Sequence, residues 1–200
     1  MTALVFRAVV FDLDGTLLVP RIDFKNLRRK LGVPEGESLL DFVESKRSPE
    51  MDSLRKILVD EEKRAARLST LMPGARETLA WLSEAGIRLG VLTRNSRDSW
   101  EEAWRRCRLD EIQNVVTRED APIKPDPRAL EPFFREWGVR PSEVVHIGDY
   151  LYDLQIAHAA GTHSILLNSG GDNPYEVPCD RVARNHAELL EILRSMPFEV

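Results

Sequence analysis

Five short apolar segments constrain the fold of this chain more strongly than any other feature of its sequence. The first, residues 4–11, combines β-branched and aromatic side chains in a nearly continuous apolar run. Three similar runs cover residues 87–92, 144–147 and 164–167, and a weaker one covers residues 114–117. Continuous apolar runs of this length are typical of strands that are buried on both faces of a parallel sheet.

Segments with helical signals separate these predicted strands. A Pro-Gly pair opens residues 73–85 and Gly86 follows them, as expected for a helix that stops at a glycine. The other predicted helices are one whose apolar face contains Trp100, Ala103, Trp104 and Cys107, one after Asp126 that ends near Gly138, one over residues 153–160 and one over residues 187–194. This alternation predicts an α/β fold, a Rossmann-like three-layer sandwich around a central parallel sheet.

Residues 20–72 interrupt the alternation. They contain no convincing strand and show the charge and leucine spacing of helices, as in residues 54–58. We therefore predict an α/β core domain made of residues 1–19 and 73–200. Residues 20–72 form a small helical insertion after the first strand.

Composition excludes several classes of function. The chain carries a net charge of −5, whereas a nucleic-acid-binding surface normally shows a basic excess. Cys107 and Cys179 form neither a metal-binding pattern nor a disulfide framework, which favours a reducing compartment. The apolar run at residues 3–11 is interrupted by Arg7 and is too short to span a bilayer. We expect a cytoplasmic protein that binds neither nucleic acid nor membrane.

Polar residues follow the predicted strands at the point where each strand ends. In an open parallel sheet, ligands bind beyond these carboxyl ends, so such residues are candidates for a functional site. They are Asp12 and Asp14 after the first strand, Thr93, Arg94 and Asn95 after the second, Lys124 downstream of the weaker strand, and Asp149 and Asp153 after residues 144–147. Together they supply carboxylates, a hydroxyl group, turn amides and a cation.

Asp12 and Asp14 lie two positions apart in an extended segment, so their side chains project to the same side. Two carboxylates this close repel each other unless a cation or a shared proton lies between them. A hard divalent cation prefers oxygen ligands, and Asp149 can supply another one. Gly15 permits a sharp turn whose amides can approach an anion. A calcium loop is the weaker interpretation, because apolar residues 17–19 stand where it needs oxygen ligands.

Each of the remaining candidates also has a purely structural interpretation. Thr93 can cap the next helix, although Ser96 can do the same. Asp153 can be the N-cap of residues 153–160, and Lys124 can be a solvated side chain in a loop that prolines stiffen. The order and placement of all these residues, rather than any single one, favour a common site.

Four motifs in this order resemble those of haloacid dehalogenase-like (HAD) hydrolases, in the phosphatase branch that includes phosphoglycolate phosphatase-like proteins. The motifs are DLDGTL at residues 12–17, LTRN at residues 92–95, KPDP at residues 124–127 and GDYLYD at residues 148–153. Residues 157–161 also match the helix ending A-x-x-A-G of that family. The resemblance covers the chain apart from the insertion. One departure is Tyr150, which stands where many relatives have a small hydroxyl residue.

The resemblance implies roles for four aspartates. Asp12 is expected to be the nucleophile that forms an aspartyl-phosphate, and Asp14 the general acid and base. Because dehalogenases lack this second acid, dehalogenation is not expected. Mg²⁺ is expected on the Asp12 carboxylate, the Asp14 backbone carbonyl and the Asp149 carboxylate. Asp153 is expected to support the metal site or Lys124 from behind.

The resemblance also implies a phosphate site. Thr93 and the backbone amides of Arg94 or Asn95 are expected to bind phosphoryl oxygens. Lys124 is expected to offset the negative charge of the nucleophile and of the phosphoryl group. Phosphoryl transfer depends mostly on positioning and on charge stabilisation, and these groups provide both.

The insertion resembles the family's helical cap, which closes over the site and excludes water. Its basic residues can bind an anionic leaving group, or they can form a solvated helix face, which is the more common arrangement. They are Arg21, Lys25, Arg28, Arg29, Lys30, Lys46 and Arg47.

The expected function is hydrolysis of a small phosphorylated metabolite by a monomer or a homodimer. A phosphomutase is a second interpretation, although it needs a cap that excludes water well, and this cap is short. A catalytically silent protein that retained the fold for binding is a third interpretation.

Overall fold

A six-stranded parallel sheet forms the centre of the computed structural model, which describes residues 5–45, 48–120 and 122–199. The strands are β1 (Ala8–Phe11), β2 (Arg88–Leu92), β3 (Asn114–Val116), β4 (Val144–Gly148), β5 (His163–Leu167) and β6 (Arg181–Ala183), in the spatial order β3-β2-β1-β4-β5-β6. Every neighbouring pair is parallel. The predicted α/β fold with a central parallel sheet is therefore confirmed.

Eight α-helices accompany the sheet in the described part of the chain. They are α1 (Phe24–Leu31), α2 (Leu39–Glu44), α3 (Pro49–Arg67), α4 (Ala75–Glu84), α5 (Arg97–Cys107), α6 (Glu131–Trp137), α7 (Leu151–Ala160) and α8 (His186–Ser195). Short 3-10 turns precede α6 and β4. The predicted caps Ser96 and Asn185 each accept a hydrogen bond from a backbone amide in the first turn of their helices.

The two faces of the sheet are buried by different helices. Val9 and Phe11 of β1 belong to an apolar cluster that includes residues of α4, α5 and α8. Ala8 and Val10 belong to a second cluster with residues of α6 and α7. Because successive side chains of a strand point to opposite faces, this alternation produces a three-layer sandwich in which β1 is covered on both sides.

Three details differ from the sequence-based expectations. Strand β6 was not predicted, because it is only three residues long and begins with an arginine. Trp104, which the spacing predicts on the buried face of α5, is 40% exposed. Ser99, which is buried, occupies the stripe with Trp100, Ala103 and Cys107 instead. Helix α7 begins at Leu151, so Asp153 lies within its first turn and is not its N-cap.

Helices α1 to α3 lie between β1 and α4 and have an apolar cluster of their own. That cluster contains Leu27, Leu31, Leu39, Leu40, Val43 and Leu58. Two backbone hydrogen bonds, from Val19 to Thr70 (2.9 Å) and from Met72 to Leu17 (2.8 Å), join the outgoing and returning chain. The insertion thus leaves and re-enters the core through two adjacent segments. Lys46 and Arg47, which the sequence suggests as anion-binding residues, lie outside the described residues.

A buried ion pair ties the insertion to the core. Arg118 donates to Glu62 of α3 (2.6 Å), and the two side chains are 9% and 5% exposed. The same arginine donates to the backbone carbonyl of Arg94 (3.1 Å), while Glu62 accepts from the amide of Ser96 (3.3 Å). Helix α3 is therefore fixed to the loop that follows β2, where several candidate site residues lie.

We expect Glu62→Gln to lower the free energy of unfolding by about 2 to 3 kcal/mol, because it removes the nearer counterion of the buried Arg118 and leaves only Glu119, at 3.9 Å. Urea denaturation measures the effect. Glu61 provides a matched control, since it is the neighbouring residue and pairs with Arg64 in a more exposed position. Glu61→Gln should change stability by less than about 0.5 kcal/mol. Equal losses in the two variants would show that the buried pair has no special role.

Candidate active site

The candidate residues meet at the point where the strand order reverses. The chain runs from β1 outward through β2 and β3, and then returns to place β4 on the other side of β1. Asp12 follows β1, Thr93 follows β2 and Asp149 follows β4, so all three lie at the carboxyl ends of adjacent strands. The Asp12 amide donates to the Ile147 carbonyl (2.8 Å), which extends the pairing of β1 with β4 to the site itself. This crevice is the usual ligand-binding position in open α/β sheets.

Lys124 lies at the centre of the site. Its ammonium group donates to the carboxylate of Asp12 and to that of Asp153 (2.8 Å). The Lys124 side chain is 3% exposed, so it is not the solvated side chain that a lone lysine usually is. A buried ammonium requires such partners, because an unpaired charge away from water is strongly destabilising.

Asp153 holds Lys124 in place and is itself held on both oxygens. Oδ1 accepts from Lys124 and lies 3.2 Å from His146 Nε2. Oδ2 accepts from the backbone amide of Tyr150 (3.1 Å) at the start of α7. Gly148 makes this approach possible, since a Cβ atom there would lie 2.1 Å from the Asp153 Cγ atom.

The electrostatics separate the carboxylates into two kinds. Burial acts to raise the pKa of Asp153, but Lys124 and His146 outweigh it and hold that pKa below its usual value. Burial raises the pKa of Asp149 to about 7, and the charge of Asp153 adds to the shift. Burial likewise raises the pKa of Asp12, although Lys124 opposes the rise. Burial also lowers the pKa of Lys124, but Asp12 and Asp153 outweigh it, so the ammonium keeps its charge.

Three carboxylates are close enough to share a cation. One oxygen each of Asp12, Asp149 and Asp153 lies within 4.8 Å of the other two. Because both oxygens of Asp153 already accept hydrogen bonds, Asp12 and Asp149 are the more available ligands. All the atoms that could bind the cation are oxygen atoms, which suits a hard divalent cation such as Mg²⁺.

Asp14 stands apart from this cluster and is oriented by Asn95. The side-chain amide of Asn95 donates to Asp14 Oδ2 (2.5 Å). Burial raises the pKa of Asp14, while Asn95 and Lys124 act in the opposite direction. A raised pKa brings a carboxyl group closer to the range in which it can donate a proton. No sequence pattern predicts this contact, although Asn95 is itself a predicted site residue because it lies near Thr93 after β2.

The predicted phosphate-binding groups surround the same space. Thr93 Oγ1 accepts from the Asn95 amide (3.1 Å), so the Thr93 hydroxyl hydrogen remains available to an anion while the Asn95 amide is already used. No described residue accepts from the Arg94 amide, which leaves that amide available. Of the two amides named from the sequence, Arg94 is thus the better donor.

A cavity of about 970 Å³ separates the insertion from the core at this site. Its core side contains the candidate residues Asp12, Asp14, Thr93, Arg94, Asn95, Lys124, Asp149 and Asp153. The insertion contributes apolar residues, including Phe24 and Leu39, as well as Arg28 and Arg29. Arg28 donates to the backbone carbonyls of Glu37 (2.5 Å) and Pro34 (2.7 Å), so it also braces the insertion internally.

Comparison with known proteins identifies related sequences and structures. Residues 18–167 match the sequence profile described as haloacid dehalogenase-like hydrolase. The chain is 32% identical to a haloacid dehalogenase-like hydrolase domain-containing protein of Arabidopsis thaliana, over 82% of this chain and 72% of that protein. It is 30% identical to an N-acetylmuramic acid 6-phosphate phosphatase of Pseudomonas aeruginosa, over 94% of both chains. A HAD phosphatase structure from Thermococcus onnurineus has a TM-score of 0.71 at 28% identity, covering 96% of this chain and all of that one.

Asp12 and Asp14 precede the matched residues 18–167, so their place in the site rests on the geometry described above.

Within the described ranges of the chain, no helix is long and apolar enough to cross a membrane.

Gly15 permits Asp149 to approach the turn after Asp12. It has a φ of +86°, and a Cβ atom there would lie 2.0 Å from Asp149 Oδ2. Gly36 is a matched control, because it has a φ of +85° with nothing within 4 Å of an added Cβ atom.

We expect Gly36→Ala to cost about 1 to 2 kcal/mol of unfolding free energy, the strain of a left-handed backbone conformation. Gly15→Ala should cost about 1 to 3 kcal/mol more, because Asp149 must also move. Urea denaturation of both variants measures the difference. If they were equally stable, the contact between Gly15 and Asp149 would not constrain the site.

Proposed function

The chain belongs to the haloacid dehalogenase-like hydrolase family, and from this premise we propose that it is a Mg²⁺-dependent phosphatase acting on a small phosphomonoester. The observation that carries the proposal is the buried Lys124 ammonium between Asp12 and Asp153, with Asp149 beside them. The arrangement offers a nucleophilic carboxylate, a fixed positive charge and oxygen ligands in one crevice. Relatives named N-acetylmuramic acid 6-phosphate phosphatase and phosphoglycolate phosphatase support this class of reaction.

Asp12 is the proposed nucleophile. One carboxylate oxygen forms a bond to phosphorus as the bond between phosphorus and the leaving oxygen breaks, which gives an aspartyl-phosphate. Lys124 keeps the carboxylate oriented through its hydrogen bond and balances the charge that gathers on the phosphoryl oxygens. The Thr93 hydroxyl and the Arg94 amide bind two of those oxygens, so the phosphoryl group is fixed before reaction.

Asp14 is the proposed general acid and base. In the first step it gives its proton to the leaving oxygen, and in the second it accepts a proton from the water that attacks the aspartyl-phosphate. Its hydrogen bond with Asn95 fixes the carboxyl group for both transfers. The raised pKa of Asp14, which burial causes, favours the protonated form that the first step requires.

Mg²⁺ is the proposed metal, held by the Asp12 and Asp149 carboxylates and by the Asp14 backbone carbonyl. When bound, it polarises the phosphoryl group and offsets the charge of the carboxylates around it. Asp153 supports the site through Lys124, because its two oxygens are already hydrogen-bonded. Asp14 therefore contributes a backbone oxygen here and keeps its side chain for proton transfer.

Residues 20–72 are the proposed cap. Helices α1 and α2, together with Leu58 and Glu62 of α3, cover the cavity, and the apolar residues among them exclude bulk water from the reacting atoms. We propose a small phosphorylated metabolite as substrate, the cytoplasm as the location, and a monomer or homodimer as the working form.

The first test compares hydrolysis of p-nitrophenyl phosphate with and without Mg²⁺, in the wild type and in Asp12→Asn. Turnover should require the metal and should fall to background in the variant, since an amide oxygen cannot act as this nucleophile. Asp110→Asn is the matched control, because Asp110 is an exposed aspartate outside the cavity. Retained turnover in Asp12→Asn would exclude Asp12 as the nucleophile. Absence of turnover in the wild type, with p-nitrophenyl phosphate and with a panel of sugar and hydroxyacid phosphates, would favour a silent binding protein.

The second test separates the two roles of Asp14. p-Nitrophenol leaves without protonation, so Asp14→Asn should still form the aspartyl-phosphate from p-nitrophenyl phosphate and then release it slowly. Rapid-quench measurement should show a burst of about one p-nitrophenol per active site. An alkyl phosphate, whose alcohol needs a proton, should lose about 10²- to 10⁴-fold in kcat/KM. A uniform loss for both substrates, with no burst, would contradict the general acid and base assignment.

A further inference from the structure

The side chain of Arg94 contacts a different part of the molecule from its backbone amide. While the amide faces the proposed phosphoryl site, the guanidinium group reaches the insertion. Its Nη2 atom donates to Asp41 Oδ1 (2.7 Å) and to Ser38 Oγ (3.1 Å), both on or beside α2. The guanidinium carbon also lies 4.5 Å from the centre of the Tyr152 ring. Arg94 therefore crosses the cavity from the core to the cap.

The guanidinium group retains unused donors. Both of its hydrogen bonds come from Nη2, and no described residue accepts a hydrogen bond from its Nε or Nη1 atoms. The side chain is 17% exposed and lines the cavity that also contains Asp14. A planar group with free N–H donors is suited to bind a carboxylate or another oxyanion through two hydrogen bonds.

Tyr152 restricts the position of this group. The guanidinium carbon lies over the Tyr152 ring, and Tyr150 packs edge-on against Tyr152 with 5.4 Å between ring centres. Tyr175 packs against Tyr150 in the same way, at 5.8 Å. An arginine that aromatic rings orient in advance loses less conformational freedom when it binds a ligand. The three tyrosines therefore give Tyr150, the departure from the usual motif, a physical role.

Asp41 is a weak partner for Arg94. Its side chain is 58% exposed, and ion pairs with such exposure contribute little because water screens them. A carboxylate that enters the cavity can therefore replace Asp41 on the guanidinium group at small cost.

We propose that the Arg94 side chain is a specificity-determining residue that binds an anionic group on the leaving group, with a carboxylate as its best ligand, in exchange for Asp41. This inference rests on the proposed phosphatase function. When the phosphoryl group is at Asp12, the leaving oxygen faces Asp14, and the rest of the leaving group occupies the cavity that Asp14 and Arg94 both line. The substrate class is thus a phosphomonoester whose leaving group carries a second, non-reacting anion.

A purely structural role for Arg94 makes different predictions. If the contacts with Asp41 and Ser38 only fasten the cap to the core, loss of Arg94 and loss of Asp41 should weaken closure in the same direction. If Asp41 competes with the substrate, the two losses should have opposite effects on selectivity. Selectivity between matched substrates therefore separates the two roles.

The experiment measures kcat/KM for 4-carboxyphenyl phosphate and for its uncharged amide, 4-carbamoylphenyl phosphate, together with the corresponding 3-substituted pair. The readout is the kcat/KM for the carboxylate compound divided by the kcat/KM for the matching amide compound. In the wild type this ratio should exceed one in at least one pair. Arg94→Gln should reduce that ratio by about tenfold, the loss of one charge-assisted contact. Asp41→Asn should raise it by about two- to fivefold, since the competing carboxylate is removed.

Arg105→Gln is the matched control, because Arg105 is an exposed arginine of α5 that pairs with Glu101. It should leave the ratio unchanged. A wild-type ratio near one in both pairs, or ratios that move in the same direction in Arg94→Gln and Asp41→Asn, would overturn the role of Arg94 and leave the phosphatase proposal intact. No hydrolysis of any of the four compounds or of p-nitrophenyl phosphate would instead overturn the proposed function, and this inference with it.

Discussion

The buried Lys124 ammonium is the interaction on which the rest of the site depends. Asp12, Lys124 and Asp153 come from three distant parts of the chain, and only the positive charge between the two carboxylates makes their close approach favourable. Without it, burial and mutual repulsion would force the carboxylates either to take up protons or to separate. The loop that carries Lys124, the end of β1 and the first turn of α7 are therefore positioned together.

This arrangement divides the acidic residues by the direction of their pKa shifts. Asp153 remains ionised because Lys124, His146 and the Tyr150 amide all stabilise its charge. Lys124 also favours the charged forms of Asp12 and Asp149, but burial outweighs it there, and the pKa of both is raised. A site built in this way supplies part of its own positive charge and leaves room for one more cation. The carboxylates can come together without a bound cation, because Lys124 already offsets part of their mutual repulsion.

Much of the core was predictable from the sequence because it depends on local pattern. Five of the strands follow continuous apolar runs, and the site residues stand directly after them, so topology alone brings Asp12 and Asp149 together. The contacts of Asn95 with Asp14, Arg94 with Asp41, and Arg118 with Glu62 join segments 81, 53 and 56 residues apart. No periodicity or spacing records such pairs: the first arises from packing within the core, and the other two arise only when the insertion packs on the core. Strand β6 escaped prediction for the opposite reason, being too short to show a pattern.

The paired segments at Val19 and Thr70 have an evolutionary consequence. Because the chain leaves and re-enters the core at adjacent positions, the ends of the insertion stay close together whatever lies between them. Lengthening such a segment costs little, because closure entropy grows only slowly with loop length. Proteins descended from this chain can therefore acquire different residues over the cavity through insertions or deletions between Val19 and Thr70. The sheet and the charged residues at the carboxyl ends of its strands would be inherited unchanged. Substrate specificity could therefore change while the reaction stays the same.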